Sequence, residues 1–256
     1  MTCLERAAPV RLAILNCNTS RSMTDRIAAT ARATASPGTE IVALEPLWGP
    51  SSVESYYDGF IAAAAMLDRV ATLVSHDLDA LVLAGFGEVG REALREQLHV
   101  PVVDIAEAAA LVAQLLAPRY GVVTCLPRQV GLIRDNLRLA GLLERCASIR
   151  ALGVDVLDSG ADEDATVARF LEEAAHAVAD GAEALCLGSA GFTGMATRLS
   201  EALGMPVVDG VAAAVTLAES CHRMGLRTSK LTTWSDPIPK ERKGWPVSAP
   251  EHSGGA

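Results

Sequence analysis

The stretch LVLAGFG at residues 81–87 returns as LCLGSAG at residues 185–191, 104 positions later. Just downstream, PVVDIAEAAALVA from Pro101 returns as PVVDGVAAAVTLA from Pro206, at an offset of 105. Upstream, AILNC from Ala13 aligns with GVVTC from Gly121 at an offset of 108, and residues 41–44 align with 149–152 at that same offset. Four segments repeated in one order mark an internal duplication, and a repeat fixes the architecture before any single residue does. The chain divides near Pro118 into halves of residues 9–116 and 118–224.

Each half alternates short β-rich runs with longer helical patterns, the signature of βαβ units and a parallel sheet. The runs predict strands at residues 11–15, 41–44, 80–84 and 102–103, then 121–124, 149–152, 184–187 and 207–208. The clearest helices are predicted over residues 53–74, 165–179 and 211–224. The expected fold class is therefore α/β: two pseudo-symmetric halves, each a four-stranded parallel sheet flanked by helices. Residues 225–256 form a tail expected to be mostly loop or disordered, because Pro237, Pro239, Pro246 and Pro250 forbid a regular helix.

Composition narrows the function. Half of the 256 residues are apolar but only 4% are aromatic, so the core is Ala, Val and Leu, which suits parallel sheets under Ala-rich helices. A formal charge of −9 argues against nucleic acid or an anionic membrane as partner and leaves a small molecule as the expected ligand. A homo-oligomer is compatible with the sequence. No signal-like or membrane-spanning run is read, and a cytoplasmic location is expected. The six cysteines show neither a CxxC nor a zinc spacing, and read as free thiols. No metal or other cofactor is implied.

Ligands of open parallel sheets bind beyond the carboxyl ends of the strands. Two halves facing each other would gather those ends around one cleft. The candidate site loops are then Asn16-Cys17-Asn18-Thr19, Gly85-Phe86-Gly87-Glu88, Thr124-Cys125 and Gly188-Ser189-Ala190-Gly191.

At these loops the sequence resembles the hydantoin and allantoin racemases of the aspartate/glutamate racemase superfamily. The stretches that carry the resemblance are LNCNTS, GPSSVESYYD, LAGFGEVG, PVVDIAEAA, VVTCLPR, LGSAGF, PVVDGVAAAVTLAE and LRTSK, spanning about residues 11–230. The resemblance implies a site between two α/β halves, with one cysteine after the third strand of each. One thiolate removes the Cα proton and the opposite thiol returns another. Here those positions are Gly85 and Ser189. Glycine has no side chain to offer, and a serine hydroxyl is a far weaker acid than a thiol, whose reference pKa is about 8.5. The two-thiol mechanism does not carry over. The related arylmalonate decarboxylase has glycine at the first position but keeps the second cysteine, so it is matched by Gly85 and not by Ser189.

Other groups must then handle protons. Cys17 stands where the family usually has proline, and Cys125 where it usually has threonine. The internal alignment makes them equivalent, so a relocated thiol pair is one reading and two compact core residues the other. Glu88 is a general acid or base if desolvated, or else a carboxylate at a helix N-terminus. Asn16 and Asn18 offer donors for a carboxylate or ureide carbonyl, while Thr19 or Ser20 caps the next helix. Ser189, Ala190 and Gly191 form a turn suited to polarising a carbonyl, or to a plain helix cap. Gly85, Phe86, Gly87 and Thr124 complete the candidate binding set. Asp104 and Asp209 end equivalent strands and read as structural, and no histidine follows a predicted strand.

The expected activity is cofactor-independent proton transfer beside a carboxyl or ureide carbonyl of a small hydantoin- or amino-acid-derived substrate, by isomerisation, decarboxylation or a lyase or cyclisation step. Two rivals are kept. One is a catalytically silent binder. The other is an NAD-dependent oxidoreductase, from the GxGxxG match of residues 85–90 with Asp104 at 19 residues beyond Gly85.

Overall fold

The computed structural model describes residues 10–73, 77–87, 89–160 and 162–248. The first half runs β1 (Arg11–Asn16), α1 (Arg21–Thr34), β2 (Glu40–Leu44), α2 (Tyr56–Leu73), β3 (Ala80–Ala84), α3 (Arg91–Gln97), β4 (Val102–Asp104) and α4 (Ile105–Leu116). The second runs β5 (Tyr120–Thr124), α5 (Gln129–Leu139), β6 (Cys146–Ala151), α6 (Glu163–Ala179), β7 (Ala184–Leu187), α7 (Ala196–Leu203), β8 (Val207–Val208) and α8 (Gly210–Arg223). The sheets are parallel, with orders β2-β1-β3-β4 and β6-β5-β7-β8, so the duplication in sequence is a duplication in topology. Every residue of β3, β5 and β7 is buried, because helices cover both faces of a parallel sheet.

All eight predicted strands are present, and the differences lie at element ends. The helix predicted from residue 53 starts at Tyr56, because Ser55 and Asp58 cap its first turn: Ser55 Oγ donates to Asp58 Oδ2 at 2.8 Å, and Asp58 N–H donates back to Ser55 Oγ at 3.2 Å. Strand β6 begins at Cys146, earlier than predicted, because its small polar start pairs with β5 across a register shift.

The halves do not stand apart. Helix α4 leaves the first sheet and packs on β7 and β8 of the second, while α8 leaves the second and packs on β1, β3 and β4 of the first. The two helices also pack on each other, and one continuous core holds residues of both sheets, from Leu12 and Ile14 to Val122 and Leu185. At the crossing, a Cβ on Gly210 would lie 2.5 Å from the Ile105 carbonyl oxygen, so glycine permits the approach. Matching carboxylates start both helices. Asp104 Oδ1 accepts the Ala106 and Glu107 N–H groups, and Asp209 Oδ1 accepts those of Val211 and Ala212. A smaller core under α2 and α3 gathers Leu15, Met66, Leu83 and Leu94.

The tail over residues 225–248 has no helix or strand, and single hydrogen bonds fasten it to α2 and α3. Lys230 Nζ donates to the Arg95 and Glu96 carbonyls at the end of α3, both at 2.8 Å. Trp234 Nε1 donates to Glu92 Oε2 at 2.8 Å, and Val247 N–H to the buried Asp68 Oδ1 at 2.7 Å. The tail is a strap over α2 and α3, fastened because it supplies donors where that surface has unpaired acceptors.

Among the described residues, no helix is long and apolar enough to cross a membrane.

Candidate active site

The carboxyl ends of β1, β3 and β7 meet in a tight cleft between the halves, with a cavity of about 30 Å³. Cys17, Asn18, Gly85, Phe86, Gly87, Ser189 and Ala190 line it, so loops from both repeats converge there as the strand-end argument requires.

Position 85 is where the cleft is most informative. A Cβ built on Gly85 would lie 3.0 Å from Cys17 Cβ, 3.2 Å from Cys17 Sγ and 2.7 Å from Val89 Cγ2. The space that a side chain at 85 would fill is therefore shared by the Val89 side chain and the Cys17 thiol, which follows β1. Burial, with a smaller push from the negative charge of Asp104, raises the Cys17 pKa to about 12. At neutral pH Cys17 is a thiol, a proton donor first and a base only after losing its own proton.

On the opposite wall, Ser189 Oγ accepts the Gly191 N–H at 3.1 Å, and its own O–H is directed to the Cys125 sulfur. The first of these bonds also commits the Gly191 amide, so Gly191 does not supply an oxyanion donor as the sequence reading had it. Asn18 reaches the cleft, its Oδ1 held by Asn16 Nδ2 at 3.0 Å and Ser20 N–H at 2.9 Å.

Several expected residues serve behind the wall instead. Asn16 is fully buried, its amide shared among Asn18, Ser20 and Thr24, so it fixes Asn18 rather than lining the cleft. Thr124 Oγ1 donates to the Gly188 carbonyl at 2.8 Å and ties β5 to the loop after β7. Cys125 is fully buried and absent from the cleft wall. Burial raises its pKa to about 11, against hydrogen bonds from Ser189 and Ser159 that pull it down. The relocated thiol pair is thus corrected to one thiol at the cleft and one in the core. Glu88 lies outside the described residues.

Residues that the sequence reading missed form the rim. Gln129 Nε2 donates to the Val53 carbonyl at 3.0 Å across the halves, while its Oε1 accepts the Leu126 N–H at 3.0 Å. Thr19 N–H donates to the Pro50 carbonyl at 3.0 Å, so the loop between β2 and α2 is pinned on both sides of the cleft. Leu132 packs over Gly87, and Met23, Val89 and Val156 complete an apolar lining. Only the β5–α5 turn, LPRQ, hinted at Gln129, because a polar side chain there faces the strand ends.

None of the described lining residues is charged. No group of three or more His, Cys, Asp or Glu that could hold a metal occurs among the described residues. The dinucleotide reading loses its acidic partner, because Asp104 is fully buried as the cap of α4 and presents no carboxylate to a ribose.

The model of the Asp/Glu/Hydantoin racemase family matches residues 12–218. The hydantoin racemase of Pseudomonas sp. (strain NS671) is 38% identical over 92% of this chain and 95% of its own length. The crystal structure of allantoin racemase from Pseudomonas fluorescens superposes with a TM-score of 0.88 at 49% identity, covering 91% of this chain and 99% of that one. A crystal structure of arylmalonate decarboxylase shares the fold, with a TM-score of 0.57 at 17% identity over 83% of this chain and 92% of that one.

Proposed function

This chain belongs to the Asp/Glu/hydantoin racemase family, and from that premise we propose a cofactor-independent enzyme that moves a proton at the carbon beside a carbonyl of a neutral, hydantoin-like substrate from one face only. The observation that carries this reading is the Cys17 sulfur, 3.2 Å from the place of a side-chain Cβ at position 85. The face that position 85 would serve keeps a proton carrier. Among the described residues the face of Ser189 offers a hydroxyl and no proton carrier, and its O–H turns from the Cys125 sulfur to polarise the substrate carbonyl beside the Ala190 turn.

Two consequences follow from elementary chemistry. Inversion needs proton delivery to the face opposite the one attacked, so a single carrier works with retention: the thiolate form of Cys17, the minor form at neutral pH, takes the Cα proton as S–H, and the thiol, after trading that proton with solvent, returns one to the same face. A buried ionic group without a counter-charge is strongly disfavoured, so a lining with no charged side chain among the described residues favours a ureide ring over a malonate or a free amino acid.

The test is incubation of each enantiomer of a 5-substituted hydantoin in heavy water, following Cα–H exchange and optical rotation together. Exchange of one enantiomer without loss of rotation is the expected result, and Cys17→Ala abolishes it. Racemisation of a pure enantiomer would overturn the reading. Tight binding with no exchange on any hydantoin would replace it with a catalytically silent binder.

A further inference from the structure

Leu132 is buried in the cleft wall, yet neither hydrophobic core includes it among the described residues. The other large apolar side chains of the lining are tied to a core. Met23 and Val156 belong to the main one and Val89 to the smaller, while Phe86 packs on the main one and Val53 on the smaller. A buried leucine normally touches many core neighbours, so one set at a cleft and part of neither core calls for a reason.

Its helix fixes where it points. Gln129, Leu132 and Asn136 follow the i, i+3, i+7 spacing and so share one face of α5. That face is turned to the first half: Gln129 Nε2 donates to the Val53 carbonyl at 3.0 Å, and Asn136 Oδ1 accepts Arg91 Nη1–H at 2.8 Å. Held between these two anchors, Leu132 reaches over the loop after β3, and a Cβ on Gly87 would collide with its Cδ2. The room left by the absent side chain at 87 is thus the room that Leu132 takes. Gly87 is two residues from Gly85, so the two lie at most about 7 Å apart. Gly85 is where the Cys17 sulfur sits, 3.2 Å from the place of a Cβ.

We infer that Leu132 is a specificity-determining residue: it fills the space over Gly87 that a large group on the reacting carbon would need, so the cleft takes hydantoins whose 5-substituent is small, of about methyl size. The inference rests on the proposed function, in which the cleft holds a hydantoin ring with its reacting carbon at Cys17. The polar edges of such a ring go to Ser189 and Asn18, which leaves the apolar side of the cleft to the substituent. A cavity of about 30 Å³ holds about two waters, so even the bare ring must press the wall outward. Side chains seated in a close-packed core resist that pressure. Leu132, seated in neither, is the one among these apolar residues whose shortening makes room without emptying a core.

The test measures, by calorimetry on the full-length protein, the binding of 5-methylhydantoin and 5-benzylhydantoin, beside their Cα–H exchange in heavy water. The parent is expected to bind the methyl compound at least about tenfold more tightly. Leu132→Ala is expected to shift that ratio about tenfold toward the benzyl compound. Leu137→Ala, the same truncation on the core side of α5, is expected to leave the ratio unmoved. Should either variant fail to fold, Leu132→Val and Ile133→Val repeat the comparison with one methylene removed, at an expected shift of about fourfold for the first alone. Equal binding of the two compounds by the parent, a ratio that moves no more at Leu132 than at its control, or no binding of either compound would overturn the inference. Binding that follows Leu132 without exchange would sink the proposed proton transfer and leave this result standing. Exchange with a ratio blind to Leu132 would do the reverse.

Discussion

At position 85 the missing side chain and the neighbouring sulfur are one arrangement, because a Cβ there would crowd Cys17 and Val89 within 3.2 Å. Installing the two thiols that the family resemblance implies, as Gly85→Cys with Ser189→Cys, therefore overpacks the cleft and is expected to cost about 2 kcal/mol in urea unfolding. Adding Cys17→Ala removes only the sulfur from that crowd, so it should recover part of that stability and bring racemisation, read by chiral chromatography, that the proposed single-face chemistry of the parent does not give. Cys125 gives the contrast: Cys125→Ala should cost about 1 kcal/mol and leave proton exchange intact, since that thiol is buried away from the cleft. The residue scale was partly legible in sequence. The repeat placed Gly85 and Ser189 opposite each other, but nothing in LNCNTS says that Cys17 leans into the cleft while Asn16, one residue earlier, turns into the core. Strand alternation separates those two residues only once the face toward the partner half is known.

Among the elements, α2 shows best how the tail is held. Asp68 is fully buried, and burial alone would push its carboxyl up. Hydrogen bonds from Ser248, Trp48 and Val247 outweigh burial and hold its pKa below the ordinary carboxylate range. A depressed folded pKa contributes stability that is present above the unfolded value of about 3.9 and is lost as pH falls through the folded value. The strap should therefore release in acid. All three tryptophans of the chain report on it: Trp48 on Asp68, Trp234 against Glu92 and Arg95, and Trp245 on the rim of a surface pocket that Ala64 and Ala93 also line. Tryptophan fluorescence should shift to the red on acidification below about pH 4, and Asp68→Ala should show the same spectrum at neutral pH with a loss of about 3 kcal/mol. The sequence forbade a helix here correctly, since four prolines interrupt the tail. It could not show the docking, because a strap is held by single donors meeting single acceptors and leaves no periodic pattern.

For the molecule as a whole, the duplication was readable at a glance, and so were both sheets. The crossing of α4 and α8 was not. Their apolar faces look alike in sequence whether they cover their own sheet or the other one. That exchange leads to a prediction: a fragment ending at residue 117 lacks α8 over β1, β3 and β4, so it should give a collapsed amide proton spectrum alone and a dispersed one when mixed with residues 118–256. Gly210→Val, which drives a side chain into the Ile105 carbonyl, should lower unfolding stability of the intact chain by about 2 kcal/mol. The clasp also governs traffic. Lobes that each wear the other's helix resist swinging apart like jaws, so the doorway where Gln129 grips the Val53 carbonyl is the part of the cleft best placed to give way to a guest. Widening the menu of such a protein would then be a matter of re-cutting that doorway, with the frame left standing.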